Sequence, residues 1–240
     1  KFVGSVNHPG VETGNTNEFV PSDQGVAVSH EADPVFGGDF MLVTDERGGG
    51  VIPGGATCTT GIDNPFGNGG MHVFDISDPD NPKYALTPDG EKAVFISDNV
   101  TTAPTFCNIH VIEKIPGEQR VVMAWYSQGI KVVDYFVDGN GRWSFDEVAS
   151  YQLPGADTWT AEDFKIVNND DGTRTYYFMA SDITRGIDIV SWTGPTNRGG
   201  ERAPERTSDS GNARLLLVGA TLLPVAALFG RRRRKRLKQG

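Results

Sequence analysis

Three stretches of this chain carry one short pattern, a glycine followed by mostly apolar residues and closed by a polar one: Gly70-Met-His-Val-Phe-Asp75, Gly129-Ile-Lys-Val-Val-Asp134 and Gly186-Ile-Asp-Ile-Val-Ser191. Upstream of each lies an apolar run: Phe40-Met-Leu-Val-Thr-Asp45, Val121-Val-Met-Ala-Trp-Tyr126 and Tyr176-Tyr-Phe-Met-Ala-Ser181. Short apolar runs bounded by turn residues predict strands, and each pair predicts a hairpin. A looser match joins Val3–Gly10 to Val148–Gly155, with Tyr84–Gly90 as a middle copy, so each unit closes on a strand that leaves through a proline- and glycine-containing turn. The repeats show no helical periodicity, and the pattern predicts an all-β fold.

The repeats are 59 and 57 residues apart. Periods in the 40–60 range built from short strands predict β-propeller blades, each a small antiparallel sheet that needs neighbours to bury its faces. A β-sandwich is the alternative. By the propeller reading the chain starts on the last strand of one blade, contains two full blades at roughly 11–90 and 91–155, and ends on the inner strands of another at 156–193. About three blades do not close a ring of the usual four to eight. The expectation is therefore a partial propeller over residues 1–193, its N-terminal portion lying upstream of Lys1.

The C-terminal pattern is different. Residues 213–230 are apolar except for Arg214 at the leading edge, and Arg231–Lys238 follows with seven basic residues and no acid. Eighteen residues of helix span about 27 Å, close to the hydrocarbon thickness of a bilayer. The expectation is a transmembrane helix over 213–230, a basic cytoplasmic tail over 231–240, and a flexible stalk over 194–212. By the positive-inside rule everything before residue 213 is extracellular, which makes the cell membrane the address and the first partner. Residues 1–230 carry 15 basic against 31 acidic residues, a net charge of −16, which excludes nucleic acid as a partner of the globular part.

The segment Phe74-Asp-Ile-Ser-Asp-Pro-Asp-Asn-Pro-Lys83, taken with Ile130-Lys-Val-Val-Asp134, resembles the LVIVD-repeat family of bacterial extracellular β-propeller proteins over about residues 1–193. The later copies depart to Tyr135-Phe-Val-Asp-Gly139 and Trp192-Thr-Gly-Pro195. The resemblance implies a propeller and an extracellular address. It carries no catalytic residues.

Cys58 and Cys107 are the only cysteines, and an exported location makes a disulfide between them the expectation. Histidine and carboxylate chemistry gathers ahead of the repeats. His30 lies 15 residues before Asp45, His110 lies 16 before Tyr126, and Glu162 and Asp163 occupy the corresponding place in the third copy. If these positions converge, His30, Glu31, His110, Glu162 and Asp163 form a polar ring that Zn, Mn, Cu or Fe would accept, an arrangement loosely similar to the metal-centred propellers of the selenium-binding protein family. The alternative is a set of strand-cap residues repeated because the unit is. No short-spaced ligand pair, nucleophile elbow, phosphate loop or dinucleotide fingerprint is present. No cofactor is therefore expected unless these residues hold a divalent metal.

Two functions follow. The first is a membrane-anchored extracellular module that binds an extracellular protein or glycan, with the Gly-rich insertion 46–70 and its Glu46, Arg47, Asp63 and Asn64 forming part of the binding edge. The second is a metal-dependent enzyme built on the histidines and carboxylates.

Overall fold

The computed structural model describes residue 26 and residues 29–46, 69–97 and 108–199. Their regular structure is twelve β-strands and one 3-10 turn at Phe36–Gly38. The strands are β1 (Ser29–Val35), β2 (Phe40–Asp45), β3 (Met71–Asp75), β4 (Lys83–Tyr84), β5 (Val94–Phe95), β6 (Ile112–Lys114), β7 (Arg120–Ala124), β8 (Ile130–Val137), β9 (Trp143–Tyr151), β10 (Thr158–Asn168), β11 (Arg174–Asp182) and β12 (Gly186–Gly194). The glycine-led repeats are β3, β8 and β12, paired antiparallel with the apolar runs β2, β7 and β11. Three sheets result: β1-β2-β3-β4 with β5 also on β3, then β6-β7-β8-β9, then β10-β11-β12.

Two of the repeat glycines answer to close approaches. Gly129 has φ +73°, and a side chain there would run into the Tyr151 carbonyl of β9. At Gly70 a Cβ would sit 2.5 Å from the Phe95 carbonyl oxygen of β5. Glycine is the residue that lets these backbones close up.

The apolar pattern of each strand reports how many of its faces are covered. Every residue of β7, Arg-Val-Val-Met-Ala, is buried, and so are the first six of β8. Alternate residues serve two separate cores. Val121, Met123 and Val133 face Leu42, Val73 and Phe95 of the first sheet, while Val122, Ala124 and Val132 face Tyr176, Phe178 and Trp192 of the third. A sheet packed on both faces needs near-continuous apolar strands. By contrast β11 alternates buried Tyr176, Phe178 and Ala180 with outward residues, and its partner β12 leaves Ile187 and Ile189 at 69% and 61% exposure. One face of the third sheet is core and the other is open.

This arrangement corrects the partial β-propeller. The first and third sheets lie on opposite faces of the second, and no ring is closed. Hairpin grammar fixes which strands pair and which faces need cover, but it does not fix how successive sheets are placed about an axis. The transmembrane helix is corrected too. Among the described residues no helix is long and apolar enough to cross a membrane, and 213–230 lie outside them. The signal there was apolar content and flanking charge, neither of which makes a helix by itself, and Gly219 and Pro224 lower helix propensity within the stretch.

The stretch expected to begin a flexible stalk is tied down as far as Gly199. Asn197 donates its backbone N–H to Glu118 at 3.0 Å and its side-chain amide to the Gln119 carbonyl at 2.7 Å. Cys58 and Cys107 lie outside the described residues, as do Arg47, Asp63 and Asn64.

Candidate metal centre

Pairing of β1 with β2 puts Ser29 opposite Asp45, so the next residue of each strand path, His30 and Glu46, leaves the same end of the first sheet. The segment leading into β6 is then stitched to that end. The Glu31 N–H donates to Thr44 Oγ1 at 3.0 Å, the Thr44 hydroxyl donates to the His110 carbonyl at 3.0 Å, and the Ile112 N–H donates to Glu31 Oε2 at 2.7 Å. These bonds carry His110 to His30, and the two rings lie with centroids 4.1 Å apart. One ligand atom from each of His30, Glu46 and His110 lies within 4.8 Å of the other two.

His110 is held from three sides. Its Nδ1 lies 2.7 Å from the Trp159 carbonyl, which can only accept, so Nδ1 carries the proton and the Nε2 lone pair is left for a ligand. Nε2 lies 3.7 Å from Glu46 Oε1, and the Trp159 ring centroid lies 4.2 Å from that of His110. A backbone carbonyl on the far nitrogen is the arrangement that orients metal-bound histidines. On the other side, the buried Tyr126 hydroxyl donates to Glu46 Oε1. His110 is buried and Glu46 nearly so, while His30 is exposed at the mouth.

Electrostatics favour the metal-ready protonation states. Burial lowers the His110 pKa and His30 pushes it the same way, against the Trp159 carbonyl and Glu46, so the imidazole is neutral at ordinary pH. Burial, reinforced by the Glu46 bond and charge, raises the Tyr126 phenol far above its usual range and keeps it a donor. Around the mouth stand further carboxylates. Burial raises the pKa of Glu31, with Asp33 and Glu113 adding to the rise, and burial also raises Glu113, with Asp163, Glu162 and Asp33 adding.

The structure thus brings His30 and His110 together as the repeat positions implied, and supplies Glu46 in place of Glu162 and Asp163. Those two lie on β10, where Asp163 sits near Glu113, and neither joins the three donors. The third unit instead contributes the Trp159 carbonyl, brought in by a bridge between Thr158 and Tyr126. Glu46, assigned from sequence to a loop-borne binding edge, sits on the end of β2. Of the other histidines, His72 is buried 4.0 Å from Asp45 on the first sheet, and His8 lies outside the described residues. Among the described residues a separate cleft of about 750 Å³, lined by residues such as Asp89, Phe95, Phe145 and Glu147, opens without a histidine in its wall.

Comparison with known proteins gave no matching family model, no matching curated protein and no matching solved structure. The resemblance of residues 74–83 and 130–134 to LVIVD repeats has its support in the sequence alone.

Proposed function

We propose that this protein binds a divalent transition-metal ion through His30, Glu46 and His110. The observation that carries the reading is the convergence of two imidazoles and one carboxylate from three separate chain segments within 4.8 Å of one another. The lone pair of His110 is directed by the Trp159 carbonyl and the carboxylate is held by Tyr126. Two histidines and a carboxylate suit zinc, iron, manganese or copper. Three protein donors leave coordination positions for water or a small molecule, which separates this centre from a closed structural site and makes metal-assisted chemistry on a bound ligand its natural extension.

The test is direct. Chelator-treated, dialysed protein is titrated with Zn²⁺ by calorimetry and with Co²⁺ by visible absorption, alongside a His30→Ala/His110→Ala double variant shown by circular dichroism to be folded. One equivalent taken up by the native chain and none by the double variant supports the reading. A folded native chain that takes up neither metal removes it.

A further inference from the structure

Tyr126 is one of two described non-glycine residues with positive φ, at 35°, the other being Phe36. A bulky residue held there is strained, and strain of this kind survives where the surroundings over-determine it. Here they do. Tyr126 sits at the closed end of the β7–β8 hairpin, where the Gln128 N–H donates to the Trp125 carbonyl and the Gly129 N–H to the Tyr126 carbonyl. The same Tyr126 carbonyl accepts the Thr158 N–H of β10 at 2.9 Å. The ring is buried at 2% exposure, lies edge-on to His110 with centroids 5.4 Å apart, and ends with its hydroxyl on Glu46 Oε1.

A turn position that a glycine would occupy without cost is therefore held by a side chain whose polar end meets one of the three candidate donors. We infer that Tyr126 is a positioning residue for the metal centre: its hydroxyl fixes the Glu46 carboxylate so that one oxygen faces His30 and His110. The inference rests on the metal-binding reading. Outer partners of metal ligands have a recognised weight, about 10- to 100-fold in affinity, and the Trp159 carbonyl fills that role for His110 while Tyr126 fills it for Glu46. The carboxylate leaves the end of a strand and continues into the insertion, so this hydroxyl is its cross-sheet tether from β7 to the first sheet.

The experiment is a double-mutant cycle on metal affinity, with Zn²⁺ as the probe, using native chain, Tyr126→Phe, Glu46→Ala and the two combined, together with thermal melts of each metal-free protein. The expected result is a loss of about 10- to 100-fold in affinity for Tyr126→Phe in the native background and no further loss when it is added to Glu46→Ala. Equal losses in both backgrounds, or a Tyr126→Phe chain that binds as tightly as the native one, overturn the inference. A native chain that binds no zinc fails the metal reading itself, a separate outcome visible before any variant is compared. If Tyr126→Phe melts much earlier than the native chain, Tyr126→His, which keeps a ring and a donor, replaces it; restored affinity supports the inference, and unrestored affinity with a native melt overturns it.

Discussion

The β7–β8 hairpin carries a polar cluster at each end, and the two are built on opposite principles. At the open end Arg120, fully buried, gives Asp134 two bonds of 2.5 and 2.9 Å and gives single bonds to Glu118 at 2.8 Å, the Tyr176 hydroxyl at 2.7 Å and the Pro195 carbonyl at 3.0 Å. Arg174 adds a second cation on Glu118, so two guanidinium groups meet two carboxylates, with the Trp192 ring stacked 4.6 Å from the Arg120 guanidinium. Every charge there has its counter-charge, and the cluster ties the second sheet to the third. At the closed end two imidazoles and one carboxylate converge with their outer atoms already bonded and their inner atoms directed at one another. Self-sufficient polarity marks a fastener. Polarity held in position but complete only with a cation marks a site.

The largest break in this contrast comes from the fastener. Arg120→Met strands two buried carboxylates, and chemical denaturation will show a loss of about 3–5 kcal/mol, the cost of leaving buried charges unpaired. His110→Ala acts on the site instead, where calorimetry with Zn²⁺ will show affinity falling at least about 100-fold while secondary structure by circular dichroism stays native.

A smaller effect sharpens the boundary between the clusters. Asp182 accepts the N–H groups of Asp157, Thr184 and Arg185, and beside it Thr158 reaches Tyr126. Burial alone would raise its pKa, but those donors outweigh it and hold the carboxyl below its ordinary 3.8. Its contribution is therefore complete above that value and is lost as pH falls through the depressed native value. Asp182→Asn will cost about 1.5 kcal/mol near neutral pH, and denaturation midpoints measured down the acid range will show the gap to the native chain closing below 3.8. The smallest effect belongs to an exposed pair, Lys83 with Asp75 at 3.6 Å, where Lys83→Ala will change stability by under about 1 kcal/mol in the same assay.

What the sequence made legible was local. Glycine-led repeats and apolar runs located β2–β3, β7–β8 and β11–β12 because burial and pairing write themselves into spacing. The stacking of the sheets was not written there, and the propeller expectation failed on it. The site was legible in part. His30 and His110 were found by counting back from the repeats, which works while the units keep register. In the third unit β10 breaks register between Thr158 and Thr160 and again between Asp163 and Lys165, so the same count landed on Glu162 and Asp163 while the contact with His110 is made by Trp159. Glu46 was hidden by its place at the start of a Gly-rich insertion, and Tyr126 by the fact that a positive φ leaves no trace in a tyrosine codon.

The double cover on the second sheet also sets an order of opening. Its amides on β7 and β8 are shielded by one sheet above and another below, while β12 is an edge strand with apolar residues facing solvent. In deuterated water the outer strands will exchange through local fraying, and the last protons to leave will be those of β7 and β8, which part only when the whole chain lets go.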